Sequence, residues 1–371
     1  MRLSLKKMFR NIDLLLLGSV IALITIGIVL IGSATHANIP GAHRYSFVLR
    51  QTVFAAINFL LGAFLLRFDY RILKSVARPL YLFNLVMLLL VMLVGKSALG
   101  AQRWLQVGPI TIQPSEFAKA IMIVSLSSYV DDRLPLLTDF RSWLPVFGYV
   151  LLPFILVIRQ PDLGTSLVFL AILLGTIITC GFRFRYFLVM GGVGLASAPL
   201  VWRMLHEYQR NRIRVFLNPG LEPYGSGYHV IQSMIAIGSG MFFGKGLFAG
   251  TQSQLNFLPE NHTDFIFAVA GEEFGFIGVT LILLLYALLI YRGILIAMRS
   301  SDDFGTLLAV GIVSMFMFHI LVNVGMTSGI MPVTGVPLPF MSYGVSSLTT
   351  NILMVFLLLN INAHRQTLRF Q

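Results

Sequence analysis

Ten long apolar runs determine what this sequence can fold into. They cover residues 13–32, 47–66, 79–95, 115–130, 144–158, 163–181, 186–202, 265–291, 304–325 and 345–362. A helix of about 20 apolar residues spans the hydrocarbon core of a bilayer. Only 11% of the residues are charged, whereas an ordinary soluble domain carries about a quarter. The sequence therefore predicts an all-α, polytopic integral membrane protein with about ten transmembrane helices.

The lysines and arginines are distributed unequally between alternate loops. If the N-terminus is cytoplasmic, the short cytoplasmic segments hold 16 of the 27 basic residues and the short outer segments hold six. This asymmetry predicts cytoplasmic N- and C-termini. The other five basic residues lie in one long outer loop, residues 203–264, between the seventh and eighth helices. Long loops escape the rule, and an anionic ligand would explain a basic outer surface.

We expect residues 1–371 to form a single membrane domain, because no soluble segment, low-complexity tail or repeat interrupts the apolar runs. The opening MRLSLKKMFR precedes an apolar run longer than a signal-peptide core, so the first helix is expected to be retained. The single cysteine, Cys180, can form no internal disulfide, and the sequence has no His/Cys metal-ligand pattern. The glycine-rich segment GSGMFFGKG lacks the spacing of a P-loop, so we do not interpret it as a nucleotide site. We expect it to form a flexible, partly re-entrant backbone segment.

The stretch FLPENHTDFIFAVAGEEFGFIG places charged side chains at the mouth of the eighth helix. Asp264 lies at the helix start, where aspartate is a common cap. Asp264 also shares a helix face with Ala268, Gly271 and Gly275, a stripe of small residues that allows close packing. Capping and chemistry are both open for Asp264, and we favour chemistry.

Two further carboxylates, Glu272 and Glu273, lie deeper in the same helix. An ionised side chain near the bilayer centre costs on the order of 2.5 to 3.5 kcal/mol, so each glutamate needs a partner, a proton or a water-filled cavity. We expect both to support the structure, with ion pairing as the simplest explanation.

A second polar stretch, GAQRWLQVGPITIQPSEFAK, precedes the fourth helix. Pro114 and Glu116 suit the first helical turn, and Lys119 lies three residues after Glu116, close enough to pair with it. Arg103, Gln113 and Lys119 offer donors for phosphate oxygens. Arg103 could equally extend to the membrane interface with its charge in water.

Three other residues have both a structural and a binding interpretation. Asp162, in RQPDLGTS, suits a cap of the sixth helix. Arg50 lies at an outer helix end, where either anchoring at the membrane surface or phosphate binding would explain an arginine. Ser342 lies in SGIMPVTGVPLPFMSYGVSSL, a proline-broken outer loop, and could bind a hydroxyl group or cap the tenth helix.

Together, these blocks resemble the SEDS family of bacterial cell-wall polymerases, and most closely its rod-shape-determining branch, RodA. The resemblance covers nearly the whole chain, in the order Arg50-Gln51, GAQRW, QPSEFAK, QPDLGTS, GTQ, FLPENHTDFIFAVAGEEFG and PLPFMSYG. The block GTQSQLNFLPENHTDF favours RodA over the cell-division branch, FtsW. One departure is Val345, which stands where the family usually has the second glycine of YGGSS.

The resemblance implies a multi-pass enzyme of the bacterial cytoplasmic (inner) membrane that joins lipid II into glycan strands for elongation and rod shape. It implies that Asp264, in the TDF motif, is catalytic, and we assign it as the general base. Substrate binding is assigned to Arg50, Arg103, Gln113, Glu116, Lys119, Asp162, Lys245, Thr263 and Ser342. A divalent cation, Mg²⁺ or Mn²⁺, is a possible cofactor.

The expected partners are lipid II, a class B penicillin-binding protein transpeptidase and membrane proteins of the elongation complex, with no nucleic acid. Two alternative functions fit the same sequence. Intramembrane charges and broken helices are also typical of a transporter, here a lipid II flippase. A non-catalytic scaffold that recruits a penicillin-binding protein is the other alternative.

Overall fold

A computed structural model of the chain describes residues 12–36, 45–98, 101–107, 110–205, 207–218, 220, 222 and 225–365. Its helices are α1 Leu14–His36, α2 Ser46–Leu65, α3 Ile72–Val94, α4 Pro114–Asp131, α5 Phe140–Ile158, α6 Leu163–Thr179, α7 Phe184–Met204, α8 Glu207–Leu217, α9 Ser226–Ser239, α10 Thr251–Gln254, α11 Ile266–Met298, α12 Asp303–Thr327 and α13 Val345–Ala363. The strands are β1 Lys96–Ala98, β2 Ala101–Val107 and β3 Ile110–Ile112.

Each of the ten apolar runs coincides with one of the helices α1–α7 and α11–α13. Within the described residues, seven helices are long and apolar enough to cross a membrane, namely α1, α2, α3, α5, α11, α12 and α13. Helix α6 and the Phe184–Leu200 part of α7 are apolar but shorter. The helical, multi-pass architecture is confirmed, whereas the number of crossings stays a prediction.

Loops that the sequence assigns to the same side of the membrane contact one another. At one end of the bundle, Arg71 Nε donates to Asp302 Oδ2 over 2.8 Å. At the other end, Arg103 Nη1 lies 3.8 Å from Asp162 Oδ1. Alternate loops therefore lie at opposite ends of the bundle, as expected for helices that cross a membrane in alternating directions. Which end faces the cytoplasm stays a prediction.

The all-α prediction missed a small antiparallel sheet in the order β1-β2-β3. Leu105 pairs with Ile112, and Trp104 pairs with Lys96. The apolar residues of this segment alternate with a period of two, which is the period of a strand. The sheet carries Arg103 on β2 and leads directly into the start of α4, so it positions two of the predicted binding segments.

Helices α12 and α13 form the buried centre of the bundle. Two-thirds of the apolar window of α12 and more than three-quarters of that of α13 are buried. Helix α12 packs against α11, α6 and α4, and its Met315 and Phe316 are fully buried. Helix α7 is mostly exposed along its length. Polar side chains on α12 therefore lie where several helices meet.

Helix α11 is broken at Gly275, whose φ is +63°. The segment after α9 pairs with the backbone groups that the break leaves without helical partners. These bonds are Lys245 N to Glu272 O, Gly246 N to Glu273 O, Phe276 N to Met241 O and Ile277 N to Phe242 O, between 2.8 and 3.2 Å. The glycine-rich segment is thus a backbone partner of α11.

The two glutamates beside this break have very different surroundings. The buried Glu272 carboxylate accepts hydrogen bonds from Lys245 Nζ at 2.8 Å and from Thr251 Oγ1 at 3.2 Å. It also accepts from the backbone N–H groups of Gln252 and Ser253. Glu273 accepts from the Ser33 hydroxyl through one oxygen, and its other oxygen has no partner among the described residues. The expected ion pairing therefore holds for Glu272, whereas among the described residues Glu273 is held by a hydroxyl group and not by a cation.

We predict that Glu272→Gln lowers the free energy of unfolding by about 3 kcal/mol. The new NH₂ group would face N–H and O–H donors, and the Lys245 ammonium would lose its counter-charge. Glu273→Gln keeps an acceptor for Ser33 and should stay within about 1 kcal/mol of wild type. Thermal unfolding of the purified protein in detergent would compare the pair. Equal loss in both variants would contradict the contrast.

Candidate active site

One cavity of about 730 Å³ opens at the end of the bundle that carries the sheet. Its wall is formed by β2, β3, the starts of α2, α4, α6 and α13, helices α8 and α12, the turn before α11 and the loop of residues 334–337. Of the residues predicted from the sequence, the cavity is lined by Arg50, Arg103, Gln113, Glu116, Asp162, Thr263 and Asp264. The remaining three, Lys119, Lys245 and Ser342, do not line it.

Asp264 lies one residue before the helix cap and does not cap α11. The cap position is Phe265, and no side chain there bonds to the first turn. The Asp264 side chain is half-buried in the cavity wall, and a methyl group placed on Gly335 would lie 3.4 Å from its Oδ2. Within the described ranges, no group donates a hydrogen bond to its carboxylate. Both carboxylate oxygens are therefore left with lone pairs for a ligand.

The surroundings of Asp264 shift its proton affinity. Burial, together with the negative charge of Glu260, raises the pKa of Asp264 from 3.8 to about 6. The positive charges of Arg212 and Arg103 act in the opposite direction. A carboxylate with a pKa near 6 is ionised at neutral pH and still basic enough to accept a proton.

Asp162 organises the neighbouring wall of the cavity. Its Oδ1 caps α6 by accepting the Thr165 N–H at 3.2 Å. Its Oδ2 accepts from Gln113 Nε2 and Ser115 Oγ, each at 3.3 Å. Arg103 also donates to the carbonyls of Gln160 and Pro161, the two residues before Asp162. Asp162 and Gln113 thus mainly hold the wall, and Arg103 is fixed with its charge at the cavity.

Glu116 and Lys119 pair as predicted, and a third residue joins them. The Lys119 ammonium is fully buried and lies 2.8 Å from Glu116 Oε1 and 3.1 Å from His319 Nε2. His319 Nδ1 lies 3.0 Å from the Pro337 carbonyl, so Nδ1 carries the hydrogen and Nε2 accepts from Lys119. Lys119 therefore supports Glu116 instead of contacting a ligand directly.

Ser342 holds the Asp264 turn instead of capping α13. Its hydroxyl donates to the Thr263 carbonyl at 2.6 Å and accepts from Leu338 N at 2.8 Å. The cap position of α13 is Gly344, without a side-chain bond. Val345 begins the helix and does not adopt a positive φ, so this departure from the family pattern requires no strained backbone.

Lys245 is placed away from the cavity. Its ammonium pairs with Glu272 at the α11 break, which gives it a structural role in place of the predicted binding role. Arg50 lines the cavity with an exposed side chain. The Thr263 hydroxyl donates to Glu260 Oε2 at 3.0 Å.

Sequence reasoning did not single out several residues of this wall, among them Arg212, His319, Thr334 and Gly335. The signal for His319 was present, because a lone ionisable residue in an apolar run indicates a functional or structural site. Arg212 was grouped only with the basic outer loop. Its Nη1 donates to the Thr334 carbonyl at 3.2 Å, a contact between residues 122 positions apart.

Among the residues that the structure describes, no group of three or more His, Cys, Asp or Glu side chains could hold a metal ion. Mg²⁺ is usually held by one or two carboxylates together with waters and substrate phosphates, a set smaller than such a group. The possible divalent cation stays a prediction, and the cations that the cavity itself supplies are arginines.

A profile of the family described as cell cycle protein, which groups FtsW, RodA and SpoVE, matches residues 13–367. The chain belongs to the SEDS family. Stage V sporulation protein E of Bacillus subtilis is 39% identical to it over 95% of this chain and 97% of that protein. Peptidoglycan glycosyltransferase MrdB of Escherichia coli is 41% identical over 80% of each chain.

Solved structures resemble this SEDS protein over most of its length. A chain from a peptidoglycan synthase complex, described for its coordination of polymerization and crosslinking, aligns with a TM-score of 0.82 and 33% identity. The alignment covers 96% of the SEDS chain and 99% of the other. RodA of Thermus thermophilus aligns with a TM-score of 0.71 and 30% identity, over 96% and 98% of the two chains.

We predict that Arg212→Gln raises the pKa of Asp264 above about 6, because it removes a positive charge that favours the ionised carboxylate. Infrared titration of the protonated carboxyl band, assigned by its absence in Asp264→Asn, would measure this. Arg214→Gln is the matched control, since Arg214 lies on the same helix but pairs with Glu207 at 3.1 Å. An unchanged Asp264 midpoint in Arg212→Gln would contradict the prediction.

Proposed function

We propose that this SEDS protein is a peptidoglycan glycosyltransferase that polymerises lipid II at the outer face of the cytoplasmic membrane, with Asp264 as general base. The observation that carries the proposal is a half-buried carboxylate without a described hydrogen-bond donor, facing a cavity lined by arginines. Its relatives named peptidoglycan glycosyltransferase, at 38% and 41% identity, support the reaction class.

The proposed step is a direct displacement. The acceptor 4-hydroxyl oxygen forms a bond to the anomeric carbon of the donor as the bond from that carbon to the diphosphate oxygen breaks. Asp264 takes the hydroxyl proton, and the electron pair of the broken bond leaves on undecaprenyl pyrophosphate. One base and one displacement invert the anomeric centre, so no second acid is required.

The leaving diphosphate requires positive charge more than a proton. Arg50, Arg103 and Arg212 all line the cavity, and a guanidinium can bind phosphate oxygens through two parallel hydrogen bonds. The carbonyls that Arg103 and Arg212 contact fix these side chains in the wall. Charge that is already in place stabilises the developing diphosphate without reorganisation.

We assign the protein to cell-wall elongation, with a class B penicillin-binding protein as partner. The sequence GTQSQLNFLPENHTDF supports the rod-shape branch. The structural neighbour from a synthase complex that coordinates polymerization and crosslinking supports a transpeptidase partner. Expression in rod-shaped cells depleted of MrdB tests the branch, since an elongation enzyme should restore rod shape and a division enzyme should not.

We predict that Asp264→Asn lowers strand synthesis from lipid II by about 100-fold or more, because general-base catalysis contributes about 10²- to 10⁴-fold. The assay uses purified protein in detergent, with and without the transpeptidase partner, and follows glycan strands on gels. Asp303→Asn, an exposed carboxylate in the first turn of α12, is the control and should keep wild-type activity.

Detergent has no membrane sides, so strand synthesis there separates a polymerase from a flippase. Wild-type protein that makes no strands even with the partner would favour transport. Activity retained in Asp264→Asn would remove the base assignment. Rod growth supported by a folded, inactive Asp264→Asn protein would favour the scaffold alternative.

The pH dependence follows from the pKa of Asp264. Raised to about 6, the group is ionised at pH 7 and becomes protonated as the pH falls through 6. We predict that kcat/KM is nearly level above about pH 7 and falls about tenfold per unit well below the midpoint. Initial rates over this range test it, and a flat profile down to pH 5 would contradict it.

A further inference from the structure

Asn323 of α12 bridges two segments of the site through a single amide group. Its Nδ2 donates to the Asp264 carbonyl at 2.9 Å and to the Val336 carbonyl at 2.8 Å. The side chain is fully buried, and its Oδ1 has no partner among the described residues. Both amide hydrogens are thus bonded to carbonyls of residues that line the cavity.

Asn323 joins Asp264 to the loop of residues 334–337, which lines the same cavity. Gly335 precedes Val336 and has a φ of +73°, and a methyl group placed on it would lie 3.4 Å from Asp264 Oδ2. One turn earlier on α12, His319 contacts the next carbonyl, that of Pro337. Two polar residues on one face of α12 therefore hold successive carbonyls of this loop.

We propose that Asn323 is a positioning residue, which holds the Asp264 carboxylate in the cavity wall against Gly335 and so keeps it aimed at the acceptor hydroxyl. The proposal deepens the polymerase function and rests on Asp264 acting as its base. Asn323 itself does not touch substrate, because its side chain is fully buried behind the Asp264 turn. Its effect passes through the backbone carbonyl of Asp264.

Ser342 fixes the Thr263 carbonyl, so the turn is anchored one residue before Asp264 as well. Without Asn323, the Asp264 peptide loses its own anchor and a buried carbonyl loses its donor. The carboxylate then relaxes toward the water of the cavity. A shift of about 1 Å at a reacting group costs up to about 100-fold in rate.

The chain offers a close chemical control at the opposite end of the bundle. Asn360 Nδ2 also donates to two backbone carbonyls, those of Phe68 at 2.7 Å and Leu65 at 3.4 Å. Its Oδ1 likewise has no described partner, and its side chain is almost fully buried. Asn360→Ala therefore removes the same bonds without touching the Asp264 turn.

The experiment compares Asn323→Ala, Asn323→Ser and Asn360→Ala in the full-length protein. Infrared titration reports the Asp264 midpoint, and strand synthesis from lipid II reports kcat and KM. For Asn323→Ala we expect the midpoint to fall by about one unit, toward the ordinary aspartate value, as hydration increases. We expect kcat to fall about 10- to 100-fold with KM little changed.

The serine variant keeps one donor, and its values should lie between those of wild type and alanine. It also serves as the measurement if the alanine variant does not fold. Asn360→Ala should lower thermal stability while keeping the wild-type Asp264 midpoint. A wild-type midpoint and kcat in both Asn323 variants would overturn the proposal, as would an equal midpoint shift in Asn360→Ala.

Failure of the polymerase function is a separate result. Strand synthesis retained in Asp264→Asn would remove the base assignment, yet the infrared titration would still show whether Asn323 sets the environment of the Asp264 carboxyl group. A shifted midpoint with unchanged kcat would overturn the catalytic part of the proposal.

Discussion

The site depends on a turn whose backbone is held by hydrogen bonds, while the carboxylate of Asp264 in that turn has no described donor. Ser342 donates to the Thr263 carbonyl and Asn323 to the Asp264 carbonyl, so two successive peptide groups are anchored from different elements. In a low-dielectric interior such bonds are strong and their loss is costly. The backbone anchors thereby fix the position of the Asp264 carboxylate, while its lone pairs accept no described hydrogen bond.

A comparison of the carboxylates shows why this distinction matters. Glu272 accepts four hydrogen bonds and Asp162 accepts three, which gives both carboxylates a structural role. Donors lower the basicity of a carboxylate, whereas burial without donors raises it. Among these three, only Asp264 combines a cavity position with available lone pairs. The number of hydrogen bonds that a carboxylate accepts therefore distinguishes the structural carboxylates from the proposed base more clearly than charge or location does.

Local patterns in the sequence predicted the local features of the structure. The ten apolar runs matched helices, Asp162 caps α6, and Glu116 pairs with Lys119 three residues later. The predicted family and enzyme class agree with relatives at 38% to 41% identity. The sheet was missed although its period of two was visible in the alternation of apolar residues.

Local sequence patterns could not predict contacts between segments that are far apart in the chain. Lys245 was expected at the substrate, but its partner Glu272 lies 27 residues away across the α11 break. Asn323 was not singled out from the sequence, because its two acceptors become neighbours only when α12 packs beside the Asp264 turn. Ser342 was assigned to substrate binding, with capping as the alternative, for the same reason. Tertiary packing decided all three roles.

The arginines around the cavity have a consequence for how a lipid-linked anion arrives. The proposed substrate is confined to one leaflet and searches for the site in two dimensions. The cavity arginines share the wall with carboxylates, namely Glu116, Asp162, Glu260 and Asp264, so their positive charge acts close to each guanidinium. An exposed guanidinium such as that of Arg50 attracts a polyanionic headgroup more strongly than a zwitterionic one. Capture should then depend on ionic strength, even when the sugar chemistry does not.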